Sequence, residues 1–198
     1  MVKNKFDIDE IQDKCLPNKK MFLDFMFNYQ QLIMMYESAI QYVKTHLEIL
    51  KKECEAKEEH VPIRSITSRI KEPTSIMNKL NRKKLPISIK SIMDNINDVA
   101  GMRIICPYIS DIYTIRDSLI EEPYIDVIKE KDYIENPKQN GYRSLHLIVE
   151  VAVPLKEENK KIKCEIQLRT TAMDSWAELE HHLRYKKNLT ENKKEMKN

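Results

Sequence analysis

Two carboxylates stand where strands would hold them. Asp98 opens the apolar run NDVAGMRIIC, and Glu165 lies inside KIKCEIQLRT. In the second segment, alternation sends Ile162, Cys164, Ile166 and Leu168 to one face and lines Lys163, Glu165, Gln167 and Arg169 along the other. Two acids presented by strands can clamp a divalent cation. Cations recur nearby in the chain order. Arg69 and Lys71 are two residues apart in SITSRIK and so point the same way. Arg103 sits between Met102 and Ile104, where an arginine is costly to bury unless it is paired or stacked. The loop ENPKQNGYR carries Tyr142 beside Lys138 and Arg143, a pairing of aromatic and cation that suits stacking on a base and contact with phosphate.

Each feature alone has a plainer reading. A strand with one polar, mixed-charge face is ordinarily solvated, and Arg69 with Lys71 alone would be a solvated edge. Asp98 and Arg103 could simply pair with each other, with Gly101 between them as a bulge that brings both to one face. Asn140-Gly141 could be no more than a hairpin turn. Taken together the set is harder to dismiss. Two acids, the cations Arg69, Lys71 and Arg103, and an aromatic loop are the inventory for metal-assisted phosphoryl-type transfer.

Composition narrows the options. Lys and Arg number 34 against 31 Asp and Glu, a net charge of +3 over 198 residues. That is no strong basic field, so nucleic acid is not the default partner. There are only two glycines, Gly101 and Gly141, where average usage predicts about 14. Neither a Gly-x-Gly fingerprint nor a P-loop can be drawn, so side chains must hold any phosphates. The cysteines (Cys15, Cys54, Cys106, Cys164) are widely spaced, which points to reduced thiols in a cytoplasmic chain. Cys106 and Cys164 alternate onto apolar faces and read as core. The start, MVKNKFDIDE, is too charged for a signal peptide. No run approaches the ~18 apolar residues of a membrane span, so no membrane partner is expected.

The elements that must position these residues follow from periodicity. Residues 20–59 lack Gly and Pro, and Phe22, Phe25, Met26, Tyr29, Leu32, Ile33, Tyr36, Ile40, Val43, Leu47 and Leu50 recur at helical steps. This predicts one long helix, an appendage or an interface, ended before Pro62. A strand is expected at 62–71, a helix opened by Pro73, a short helix near 88–96 and a strand in NDVAGMRIICPYI. A helix capped by Ser110 or Asp111 follows. YIDVIKEKDYI, SLHLIVEVAVPL and KIKCEIQLRT read as strands, the last two joined by a tight turn at EENK. A helix over 171–186 closes the chain, with Ala172, Trp176, Leu179 and Leu183 as its buried stripe and Glu178, His181 and Tyr185 offset from it. The class is therefore mixed α/β (α+β), a mixed sheet of about five strands flanked by helices.

The order of segments is specific. SRIKEPTSIMNKL, NDVAGMRIIC, PKQNGYRSLHLIVEV and EIQLRTTAMDSWAELEHHLRYK together resemble the synthetase domain of the RelA/SpoT family, and the length resembles that of its stand-alone small alarmone synthetases. The resemblance covers residues 20–187, leaving 1–19 as an N-terminal extension and 188–198 as a tail. It implies a nucleotidyltransferase-like fold and a GTP pyrophosphokinase (GTP diphosphokinase). Such an enzyme moves the β,γ-pyrophosphate of ATP to the ribose 3′-OH of GDP or GTP, making (p)ppGpp and AMP.

By motif position the resemblance implies that Asp98 and Glu165 bind Mg²⁺ and that Glu165 helps deprotonate the 3′-OH. Arg69 and Arg103 would sandwich adenine, while Lys71 and Lys79 would meet ATP phosphates. Tyr142 would stack on guanine, and Lys138, Arg143 and His146 would line the acceptor phosphates and ribose. Gln167 would complete the pocket with support from Glu180 and His181, and Asp174 stands near guanine. The chain departs from the family pattern at Ser68, where Gly is usual, and at Asp174, where an amide or similar group is. With no His-Asp dipeptide, synthesis without hydrolysis is expected. The resemblance also implies a homotetramer built largely through helices, and leaves open regulation by product or RNA. The competing readings are a nucleotidyltransferase of another class and a catalytically reduced nucleotide- or RNA-binding module. The first generally needs two acids close together on one strand. The second should have lost Asp98, Glu165 or Tyr142.

Overall fold

The computed structural model describes residues 19–156, 158–180 and 182–183, with the backbone alone at 19–23. The elements run α1 (Lys19–Ala56), β1 (Ser65–Ile70), α2 (Pro73–Arg82), α3 (Ile89–Asn95), β2 (Ala100–Cys106), α4 (Ile109–Glu121), β3 (Ile125–Asp132), β4 (Leu145–Pro154) and β5 (Asn159–Thr170). A closing helix occupies 171–180 and is helical again at 182–183. The strands form one mixed sheet in the order β1-β2-β5-β4-β3. Only β2 and β5 run parallel; the other pairs are antiparallel.

Alternation gives the sheet two unlike faces. Met102, Ile104, Leu147, Val149, Val151, Cys164, Ile166 and Leu168 point to one side. There they pack with Leu32, Tyr36, Ala39, Val43 and Leu47 of α1 and with Ile112, Ile115 and Leu119 of α4 in a single core. Full burial of each Leu, Ile, Val or Met among them is worth about 1.5–3 kcal/mol. The long helix is therefore a layer of the core, where an appendage or interface was expected. Part of it stays outside the core: Phe27, Met34 and Ile49 are exposed.

Local signals set the element ends. Pro73 starts α2 in its first turn. Ser88 caps α3 by accepting from the Ser91 N–H at 3.1 Å. The cap of α4 differs from expectation: Tyr108 is the capping position, and Asp111 reaches back from the first turn to accept the Tyr108 N–H at 2.9 Å.

Two further expectations are corrected. β2 keeps unbroken register with both neighbours through Gly101, so no bulge lies there; Asp98 precedes the strand and needs none. The sheet's irregularity is in β3, between Val127 and Lys129. Finally, the apolar stripe of the closing helix is not buried. Ala172 is exposed, and Trp176, Leu179 and Leu183 are 47%, 53% and 59% exposed. This helix packs through Met173 and lies over the β3–β4 loop instead of covering the sheet.

Candidate active site

The other face of the sheet is polar and open. Its rows can be read from the register. Arg69, Gly101, Glu165, Ile148 and Lys129 lie in one row across β1, β2, β5, β4 and β3, and Thr67, Arg103, Gln167, His146 and Lys131 lie in the next. A cleft of ≈ 320 Å³ is lined by Thr67, Ser68, Arg69, Asp98, Gly101, Met102, Arg103, Glu165 and Gln167. A second cavity of ≈ 170 Å³ is lined by Lys79, Asn97, Asp98, Lys129, Lys131, His146, Ile148 and Glu165. Asp98 and Glu165 line both, forming the boundary between the two spaces.

The acids are held in different ways. The Lys71 N–H bonds the Val99 carbonyl at 2.8 Å, which carries β1 pairing past its end and sets Lys71 beside Asp98. Lys71 Nζ and Lys79 Nζ then donate to the two Asp98 oxygens at 3.1 and 2.8 Å. Burial pushes the Asp98 carboxyl up, but the two lysines outweigh it and hold it below its ordinary value. Arg103 is not the partner of Asp98. It pairs with Asp174 at 3.2 Å and more loosely with Glu178 at 3.9 Å.

Glu165 is lowered chiefly by His146. Burial opposes this, the Gln167 amide at 3.2 Å assists, and the charge of Asp98 pushes the other way. Both acids are therefore ionised at neutral pH and repel each other across the boundary.

The Tyr142 loop is built for rigidity. Gly141 takes φ +80°, a conformation only glycine adopts without strain. Its N–H closes a turn on the Lys138 carbonyl at 2.8 Å. The closing helix supports this loop: Trp176 lies against Gly141, and Glu180 accepts from the Asn140 amide at 2.9 Å. The Tyr142 hydroxyl meets Arg169 Nη2 at 2.6 Å and His146 Nε2 at 2.7 Å. Arg169 can only donate. The hydroxyl proton therefore goes to His146 Nε2 when that ring is neutral, which leaves the Nδ1 proton facing Glu165 Oε1 at 3.7 Å. Lys138 Nζ lies 4.8 Å from the centre of the Tyr142 ring. Lys138 is exposed, so a stacking base can displace it at small cost.

The site thus gathers Arg69, Lys71, Lys79, Asp98, Arg103, Lys138, Tyr142, His146, Glu165, Gln167 and Asp174. Arg143 is exposed and lines neither cavity. Glu180 supports the loop from outside, and His181 lies outside the described residues. Sequence reasoning missed Lys129, Lys131 and Asn97 in the second cavity. It also gave no role to Arg169, although alternation had put that residue on the same face as Glu165.

The two acids, not the lysines, are the groups here that fit Mg²⁺. Its hard oxygen ligands are commonly one or two carboxylates completed by substrate phosphates and water, and two ionised carboxylates border both cavities here.

Known proteins agree with this architecture. The family model described as "Region found in RelA / SpoT proteins" matches residues 68–190. The chain is 44% identical over 163 residues to the GTP pyrophosphokinase YwaC of Bacillus subtilis, covering 82% of this chain and 78% of that one. The crystal structure of small alarmone synthetase 2 from Bacillus subtilis superposes with a TM-score of 0.71 at 43% identity, covering 81% of both chains. That of small alarmone synthetase 1 from Bacillus subtilis bound to its product pppGpp gives 0.73 at 34% identity, again over 81% of each. The chain belongs to the RelA/SpoT family.

Proposed function

We propose that this chain is a (p)ppGpp synthetase, transferring the β,γ-pyrophosphate of ATP to the 3′-OH of GDP or GTP and releasing AMP. One observation carries the reading: Asp98 and Glu165 form the common wall of an arginine-lined cleft and a lysine- and histidine-lined cavity beside an aromatic loop. The identity to a relative named GTP pyrophosphokinase supports it.

In this reading Arg69 and Arg103 grip adenine in the larger cleft by guanidinium stacking. Lys71 and Lys79 exchange the Asp98 carboxylate for donor phosphates. Tyr142 carries guanine, while Lys129, Lys131 and His146 meet the acceptor's charge. Glu165 stands at the boundary, ionised, where the 3′-OH must arrive. A carboxylate held below its ordinary value is a weak base. That suffices, because phosphoryl-type transfer runs through a loose transition state in which the nucleophile gives up its proton late. Most of the rate comes from holding two polyanions in line in a locally cationic pocket. Asp98 and Glu165 would hold Mg²⁺, which supplies charge neutralisation at the transferred phosphates.

The exposed apolar residues of α1 support assembly into an oligomer, for which a tetramer is the expectation. No helix among the described residues is long and apolar enough to cross a membrane, and a cytoplasmic setting fits the spaced thiols.

The test is direct. Purified protein is given ATP, Mg²⁺ and GDP or GTP, and the nucleotides are resolved by chromatography. AMP and a guanine nucleotide bearing two more phosphates are expected, each dependent on the other substrate. AMP formed without guanine nucleotide, or nucleotidyl transfer with release of pyrophosphate, would refute the assignment.

A further inference from the structure

Arg169 is a buried cation, 5% exposed, with its donors aimed at residues of the site. Nε faces the Ser144 hydroxyl at 3.4 Å. Nη1 donates to Asp174 Oδ1 at 2.9 Å, and Nη2 to both the Tyr142 hydroxyl at 2.6 Å and Gln167 Oε1 at 2.9 Å. A guanidinium is a planar fork of fixed geometry, so these groups are held in one mutual arrangement. A buried arginine needs a counter-ion, and Asp174 is the carboxylate that it has. The same Asp174 oxygen also takes Arg103 Nη1 at 3.2 Å, and Arg103 lines the larger cleft. One carboxylate oxygen is thus divided between an arginine of each half of the site.

The geometry points to Asp174 as a shared counter-ion that couples the binding of the two nucleotides, with Arg169 as the positioning residue of the acceptor half. This rests on the assignment of the two halves made above. With the donor cleft empty, Arg103 competes for Asp174. A base stacked on Arg103 draws that guanidinium flat into the cleft. Asp174 then gives its full charge to Arg169, and the fork on Tyr142 and Gln167 is firmed. GDP therefore binds tighter when the donor is present, and by linkage the donor binds tighter by the same factor when GDP is present. The Arg103–Asp174 pair is partly exposed, which limits the factor to roughly two- to fivefold.

Calorimetric titration tests this. The donor is an ATP analogue with a methylene bridge between its α and β phosphates, which cannot be cleaved there. GDP affinity is measured with and without it, in Mg²⁺. The wild type is expected to bind GDP roughly two- to fivefold tighter with the analogue present. Asp174→Asn keeps the shape and removes the charge, so the factor should fall to one, with GDP alone weakened because Arg169 loses its counter-ion. Arg169→Lys keeps the charge and loses the fork. It should weaken GDP several-fold and the analogue less, since Gln167, the fork's other partner, lines the larger cleft. A wild-type factor of one, or an unchanged factor in Asp174→Asn, overturns the coupling, and the wild-type titrations decide the first point whatever the stability of the variants. Failure of either nucleotide to bind at all would instead bring down the assignment of the two halves, and the coupling with it.

Discussion

Gly101 allows volume to be added to the donor cleft without touching a charge. It lies between Arg69 and Glu165 in one row of the sheet and its φ is not positive. A Cβ placed there would meet the Cγ and the carbonyl oxygen of Arg69, both at 3.8 Å, an ordinary contact. Gly101→Ala should therefore fold without strain. Glycine inside a strand costs about 0.5–1 kcal/mol relative to alanine, so the variant should gain that stability, about 1–4 °C in Tm for a chain of this size. Gly101→Val places two more methyl groups above the same point, between Arg69 and Arg103, in the floor of the ≈ 320 Å³ cleft. A β-branched residue suits the strand, but adenine bound as proposed would lose its seat. Lost guanidinium stacking is worth about 0.5–2 kcal/mol, or roughly 2- to 30-fold in KM for ATP, with KM for the guanine nucleotide unchanged. Thermal melts and initial rates with each substrate varied read both effects. A valine variant with wild-type KM for ATP would refute the placement of the donor. An alanine variant less stable than wild type would refute the account of the strand.

Asp98→Asn and Glu165→Gln should each lower kcat by about 10²- to 10⁴-fold with an unchanged circular dichroism spectrum; full activity in either removes it from the mechanism. Both carboxyls are held below their ordinary values of 3.8 and 4.5, so the stability they contribute is present above those values and is lost as pH falls below them. Urea midpoints of wild type and Glu165→Gln should converge below about pH 4.5, and a gap that widens on acidification contradicts the sign. Tyr142→Ala should raise KM for the guanine nucleotide more than for ATP, and Tyr142→Phe should keep the ring while releasing Arg169 and His146; equal effects on both substrates in the alanine variant would place the loop elsewhere. Leu32→Ala, fully buried on α1, should cost about 2–5 kcal/mol in chemical denaturation, whereas Phe27→Ser, 62% exposed, should stay within about 0.5 kcal/mol and loosen any assembly seen by sedimentation.

The parts of the site read correctly in the sequence are those carried by regular strands. β5 holds its register against both neighbours without interruption, so alternation alone put Glu165 and Gln167 on one face and Cys164 in the core, where burial pushes its thiol up to about 12. β3 defeated the same rule. Ile125 and Val127 face the core, and strict alternation would send Lys129 and Lys131 there too; the bulge after Val127 turns them to the polar side. The partners of Asp98 and Arg103 were illegible for another reason. Lysines from β1 and α2, and acids from the closing helix, meet them only after the chain has folded. Periodicity also says that a helix face is apolar without saying what covers it. That is why α1 looked like an appendage and Trp176, Leu179 and Leu183 looked buried.

The extra residue in β3 has a reach beyond the geometry of one strand. Side chains alternate with a period of two, and Ile128 is the residue that lets Ile125 and Val127 face the core while Lys129 and Lys131 face the polar side. Were the strand to run straight through Ile128 with every residue paired, Ile128 and Glu130 would stand opposite Ile148 and His146 in place of Lys129 and Lys131, and a basic lining would turn apolar and acidic. A slip of one position, with no change of composition, stands between opposite electrical signs along this edge of the catalytic surface.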